Sequence, residues 1–172
     1  MRNRKVFYLA EGECEEKLIK ALKMQPPLIL PGSVKKFNVV QEKIKESRMM
    51  QLDPGSEVVL VFDTDIEETE ILKQNIELLK KYCARVEVLT VVQVLNFEDE
   101  IERATDVDHA PDFTRSASVS DFKSAVNRMK DVELRRALKR HKLDMSKLWA
   151  QKPPKAFRFV SQDGEKVKEI DS

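Results

Sequence analysis

The apolar positions of the chain fall into short runs separated by amphipathic stretches. Val6, Phe7, Tyr8, Leu9 and Ala10 form a run of the kind buried on both faces of a parallel sheet. Over residues 14–24, Leu18, Ile19 and Leu22 recur at helical spacing, with Lys17, Lys20 and Lys23 on the other side. Gln25-Pro26-Pro27 ends that helix, because proline cannot continue it. Residues 37–40 predict a weak strand and 41–51 a charged helix, followed by a turn at Asp53-Pro54-Gly55-Ser56. The strongest strand is 58–62, ending on Asp63. Residues 66–82 predict an amphipathic helix with Leu72, Ile76 and Leu79 on one face, and 86–92 a third good strand. This alternation implies an α/β fold, a mainly parallel sheet with helices on both faces. Residues 106–120 read as a loop, and two helices follow near 120–141 and 144–150, with Trp149 expected in the core. Residues 157–160 and 166–170, around Asp163-Gly164, predict a terminal hairpin or a frayed tail. The expected division is an α/β core over 1–105 and a loop plus basic helical extension over 106–172, packed together as a single domain.

With 172 residues, 41% of them hydrophobic, the chain suits one domain with a real core; 35% charged residues imply a heavily charged surface. No apolar run approaches the roughly 20 residues that cross a bilayer, and the first residues lack the apolar stretch of a signal peptide. Cys14 and Cys83 are too few for a disulfide framework or a four-cysteine zinc site, and two reduced thiols suit the cytoplasm. The net charge of +1 hides an asymmetry. Residues 111–172 hold 15 Lys and Arg against 9 Asp and Glu, whereas 1–110 hold 16 against 21. Within the basic part, Arg128, Lys130, Arg135, Arg136, Lys139, Arg140 and Lys142 crowd into 128–142. Such a run is a solvated helix face unless the acidic half supplies a metal site, which would make it a phosphate-binding strip.

The acids fall where chemistry would need them. Glu11 directly follows the first strand, with Gly12 next and Glu13, Glu15 and Glu16 entering the helix; Asp63 and Asp65 directly follow the 58–62 strand. In open parallel sheets ligand sites lie outside the carboxyl ends of the strands. If the two strands are neighbours, Glu11, Asp63 and Asp65 converge at one edge. Two unit charges ~4 Å apart repel by about 4 kcal/mol at an effective dielectric near 20, so a cluster of hard oxygens there suits Mg²⁺ or Mn²⁺. Singly, each acid has a plainer role: acids in a first helical turn favour the macrodipole, and Asp63 or Asp65 can cap the next helix.

A hydrophobic strand ending in Glu-Gly, then a strand ending in Asp-x-Asp, resembles the motif pair of the TOPRIM fold, shared by topoisomerases, bacterial primases and several nucleases. VFYLAEGECEEKLIKAL is most similar to the nuclease-type branch, the OLD-family and RloB-like proteins. The resemblance covers roughly residues 4–104. It implies a Rossmann-like TOPRIM core in which Glu11 is the lone catalytic glutamate, Asp63 and Asp65 the aspartate pair, and Glu15 an additional metal-binding acid. Leu95-Asn96-Phe97-Glu98 is similar to the Asn-x-x-Phe-Glu stretch of RloB-like proteins, which adds Glu98 to the metal set. A microbial defence or mobile-element context comes with the family. Asp65 lacks the following glycine typical of topoisomerases and primases, and no Walker-type glycine loop is present.

Other readings of Asp-Thr-Asp fit less well. A haloacid-dehalogenase-type phosphatase needs a Thr or Val two residues on, where Glu67 stands, and a later acidic pair after a strand. His109, in the loop, and His141, in the basic helix, give no serine-type triad. The chemistry implied is metal-assisted hydrolysis of phosphodiester bonds in DNA or RNA. Arg115, Lys123, Arg128, Arg135, Arg136 and Arg140 are the expected nucleic-acid contacts, with Lys35, Lys36, Arg2 and Arg4 as a second basic path. At 6% aromatic residues, stacking platforms are expected to be scarce. No membrane partner is expected, while a homo-oligomer or a partner subunit stays open. The alternative is a TOPRIM-like module that binds nucleic acid or protein without catalysis.

Overall fold

Four strands form one all-parallel sheet. They are β1 (Val6–Ala10), β2 (Ser33–Lys36), β3 (Glu57–Asp63) and β4 (Glu87–Gln93), in the spatial order β2-β1-β3-β4. The computed structural model describes residues 5–49, 52–82 and 87–169. Arg2, Arg4, Cys83, Val86 and Ile170, and the end of the helix expected over 41–51, lie outside them. The helices among the described residues are α1 (Glu13–Leu22), α2 (Glu46–Met49), α3 (Glu70–Tyr82), α4 (Phe97–Ala104), α5 (Ala110–Thr114), α6 (Val119–Arg128), α7 (Asp131–Arg140) and α8 (Gly164–Val167), with a 3₁₀ turn at Lys155–Phe157. None is long and apolar enough to cross a membrane.

Strand alternation sends apolar side chains to both faces, which is why the runs read as nearly continuous. On one face Tyr8, Ala10, Val59, Val61 and Val91 pack with Leu18 and Ile19 of α1, Phe97 and Ile101 of α4, Phe122 of α6, Leu138 of α7, and Trp149. On the other, Val58, Leu60, Phe62 and Val92 pack with Leu72, Ile76 and Leu79 of α3 and with Phe157. Each fully buried Leu, Ile or Phe contributes ~1.5–3 kcal/mol of transfer free energy. Trp149 is completely buried, and residues on both sides of position 105 share the first cluster.

Several elements depart from the sequence pattern. The second strand is Ser33–Lys36, whereas Phe37, Val39 and Val40 are buried in a loop. Buried Asn75 of α3 holds that loop: its Nδ2 donates to Val39 O (2.8 Å) and Glu42 O (2.7 Å), and its Oδ1 accepts the Ile44 N–H (2.8 Å). Within the described residues, the helix expected over 41–51 is the single turn α2. The long helix near 120–141 is two, because Met129 is extended (φ −61°, ψ 143°) and its carbonyl accepts Lys17 Nζ at 2.7 Å. Glu133 then accepts the Lys130 N–H (2.8 Å) to start α7. The stretch 106–120 contains α5, and 144–150 is a series of turns.

The C-terminal stretch is neither hairpin nor frayed tail. It crosses the outer edge of β4, where the Gln162 side chain imitates a strand: Oε1 accepts the Val92 N–H (3.1 Å) and Nε2 donates to Val92 O (2.7 Å). Asp163 N donates to Thr90 O (2.8 Å), and its carboxylate accepts the Thr90 N–H (3.0 Å). Gly164 is required there, since a Cβ would lie 2.4 Å from the Trp149 carbonyl oxygen.

Candidate functional site

The strand order reverses between β1 and β3: β2 lies outside β1, and β4 outside β3. At such a switch point the connecting chains leave to opposite faces and open a crevice beyond the carboxyl ends of the strands. Glu11 and Asp63 stand at it. The Glu11 N–H extends the ladder to Val61 O (3.0 Å). Its carboxylate turns across, Oε2 accepting the Asp63 N–H at 2.7 Å and Oε1 accepting Asn38 Nδ2 at 3.3 Å. Glu15, one helical turn into α1, is buried and folds back over Gly12, whose missing Cβ would sit 2.6 Å from Glu15 Oε2. Gln93, fully buried at the end of β4, lies between the two acids; with its amide nitrogen turned toward them it donates to Asp63 Oδ1 (2.8 Å) and Glu15 Oε1 (3.2 Å).

Around this centre lies a cleft of about 520 Å³, lined by Glu11, Glu15, Asp63, Asn38, Lys123 and Asn127 among others. Glu98, in the first turn of α4, pairs through Oε1 with Lys123 Nζ (2.8 Å), while its buried Oε2 has no partner. Asn96 caps α4 by accepting the Asp99 N–H (3.0 Å), which fixes Glu98. Thr64 ties the loops after β3 and β4 together, its N–H donating to Leu95 O (3.0 Å) and its hydroxyl accepting the Leu95 N–H (2.8 Å). Leu95 adopts φ 70° there, a left-handed conformation that a branched side chain resists. Asp65 stands exposed beyond Asp63.

Glu11, Glu15 and Asp63 hold protons well above the usual carboxylate range. Burial raises Asp63 to about 9, with repulsion from Glu15, Glu11 and Asp65 adding to it and Lys123 opposing. Glu11 is raised to about 7, again by burial first and then by Glu15 and Asp65, against the stabilising Asp63 N–H and Asn38 amide. Burial also raises Glu15. Burial depresses Lys123, but its bond to Glu98 and the charges of Glu98 and Asp63 carry it upward overall. Cys14 beside them is pushed up to about 12 by burial and bonds to Asn127 Oδ1 (3.2 Å), so it is a packed thiol and not a nucleophile.

The basic residues divide. Lys123 is in the cleft. Arg135 is committed to the fold, its guanidinium donating to Leu22 O (3.2 Å) and Pro26 O (2.8 Å) at the C-terminal end of α1. The phosphate strip expected of Arg135 would have to share that guanidinium with the end of α1. Arg128, Arg136 and Arg140 are exposed on α6 and α7, and Arg115 is exposed at the left-handed end of α5 (φ 56°). His141 pairs with Asp106 (3.2 Å) and lies against the Phe113 ring, away from the acids, and His109 is exposed. Gln93, Asn38 and Asn127 were not among the expected site residues. Gln93 carries the signal that singled out Asp63, a polar residue directly ending an apolar strand.

No protein-family model, curated protein or solved structure matches the chain.

Among the described residues no three His, Cys, Asp or Glu side chains stand close enough together to hold a metal ion as they are. The donor chemistry nevertheless fits a hard divalent cation: carboxylate oxygens from three elements, mutual repulsion that holds protons on, and a buried Glu98 oxygen without a partner. Gln93 supplies the positive partial charge between Glu15 and Asp63.

Proposed function

We propose that this edge is a Mg²⁺- or Mn²⁺-dependent site for phosphodiester hydrolysis in nucleic acid, of the TOPRIM nuclease type, acting in the cytoplasm. The observation that carries the reading is the meeting of Glu11, Glu15 and Asp63 in one cleft at the switch point, with burial and mutual repulsion holding protons on all three. Glu11, Glu15, Asp63, Asp65 and Glu98 would hold the ion. A bound divalent ion supplies positive charge to the phosphate and lowers the pKa of a water molecule toward neutrality. Lys123, held by Glu98, lines the cleft and offsets phosphate charge from the α6 side. Gln93 keeps Glu15 and Asp63 aligned. Exposed Arg128, Arg136 and Arg140 offer phosphate contacts farther out. The test is incubation of labelled DNA and RNA with Mg²⁺ or Mn²⁺. The reading expects fragments that EDTA suppresses and that Asp63→Asn fails to make.

The Gln93 bridge also favours a second reading. An amide that already satisfies Asp63 and Glu15, with no three-ligand group assembled among the described residues, suits a binding module without catalysis. That module would bind nucleic acid equally with and without divalent ions and would leave it intact.

A further inference from the structure

The C-terminal stretch that covers β4 carries a feature the acidic cleft does not explain. Phe159 is an exposed aromatic side chain, at 41%. It is not loose. Its ring lies 6.4 Å from that of Phe157 with an interplanar angle of 21°, and fully buried Phe157 lies 6.1 Å from Phe62 of β3. Three rings thus lead from the core, one residue before Asp63, out to the surface. Lys73 Nζ stands 5.0 Å over the Phe159 ring, a cation–π contact through an exposed, flexible side chain that a stacking base would displace.

The register of the covering segment places Phe159 along the sheet. Asp163 pairs with Thr90 and Gln162 with Val92, so the segment runs antiparallel to β4. Residues 159 and 160 therefore lie toward the carboxyl end of β4, the end that carries Gln93. Cations flank the ring along the chain. Lys155 and Arg158 are three residues apart on the 3₁₀ turn, where such positions eclipse and share a side. Lys152 precedes them and Lys73 faces the ring from α3. All four are exposed, and none makes an ion pair among the described residues.

We propose that Phe159, with Lys73, Lys155 and Arg158, is a binding platform for single-stranded nucleic acid. The ring stacks one unpaired base, and the cations take the phosphates on either side; the assignment rests on the nucleic-acid reading of the chain but uses none of its acidic residues. Two features select this ligand. A ring face suits an unpaired base, which a duplex keeps stacked inside, and three cations beside it match a chain with one negative charge per base. An acidic peptide would use the cations and leave the ring idle. One platform can anchor a strand without reading its sequence, which qualifies the scarcity of aromatic residues expected from composition.

The experiment is fluorescence anisotropy in EDTA, with the whole protein and with labelled oligo-dT, oligo-U, an oligonucleotide of abasic sugars and a duplex. Wild type should bind both base-bearing single strands more tightly than the abasic strand or the duplex. Phe159→Ala should weaken the base-bearing strands about five-fold or more, and Phe159→Trp should restore or tighten them. Lys155→Ala with Arg158→Ala should lower the salt slope by about 0.7 for each phosphate no longer neutralised, for abasic and base-bearing strands alike. The proposal is overturned if Phe159→Ala binds oligo-dT and oligo-U as wild type does, if Phe159→Trp fails to restore binding, or if the abasic strand binds as tightly as the base-bearing ones. Because no metal is present and the acids are untouched, the platform stands even if no cleavage is found, and it falls on its own even if cleavage is found.

Discussion

Asp63→Asn removes the charge of the most strongly perturbed carboxylate and keeps an oxygen that accepts from Gln93. Asp63 has a folded-state pKa of about 9 against an ordinary 3.8. Between those values the folded chain holds a proton that the unfolded chain has lost, so stability is full at low pH and falls as pH rises. Glu11, raised to about 7, adds to the fall up to about neutrality. The whole Asp63 shift converts to about 7 kcal/mol at 1.36 kcal/mol per unit. Water reaching this half-buried carboxylate screens most of that, and about 2 kcal/mol is expected in the measurement. For a domain of this size that is a rise of roughly 4–8 °C in melting temperature for Asp63→Asn at about pH 9. Near pH 3 the two proteins should converge, since there the folded wild type carries the proton and the unfolded chain largely does too. Thermal and urea unfolding in EDTA across this range makes the comparison. A variant no more stable than wild type at about pH 9, or a difference that does not change with pH, would refute the electrostatic account of the cleft.

Three further outcomes follow from the same geometry. Mg²⁺ or Mn²⁺ at about 100 times its dissociation constant should stabilise the wild-type protein by ~2.7 kcal/mol, and a melt unmoved by either ion counts against a metal function. Arg135→Ala should cost about 1–3 kcal/mol of stability by leaving carbonyls at the end of α1 without their donor; unchanged stability with weaker nucleic-acid binding would return Arg135 to the strip. Replacing Arg128, Arg136 and Arg140 together by Ala should flatten the salt dependence of duplex binding by about 0.9 for each phosphate they neutralise, and an unchanged slope would leave them a solvated face.

The strands buried on both sides, 6–10 and 58–62, were legible because burial demands continuous apolar residues; their parallel direction follows from the βα alternation, whereas their adjacency entered only as the condition for a shared site. β2 was not legible. Ser33-Val34-Lys35-Lys36 is a mostly exposed edge strand, where backbone pairing to β1 and not apolar content makes the strand. The apolar Phe37, Val39 and Val40 drew the assignment away, and only the fold reveals that Asn75 makes their loop buriable. The division of the long basic helix at Met129 left no proline or glycine in the sequence; it depends on Lys17 from a distant helix. At the site, Glu11 and Asp63 were legible from strand-end position alone. The commitment of Arg135 to α1, the Glu98–Lys123 pair and the Gln93 bridge are long-range contacts that spacing along the chain does not encode.

The most direct test of a divalent-ion site at the switch point is a calorimetric titration of metal-free protein with Mn²⁺, run slightly above neutral pH in buffers of different ionisation heat. With Asp63 at about 9, a bound ion must displace its proton. The account predicts saturable binding that releases at least one proton, with both the affinity and the proton release sharply reduced by Asp63→Asn. Absence of saturable binding, or binding by Asp63→Asn with the affinity and proton release of wild type, would contradict it.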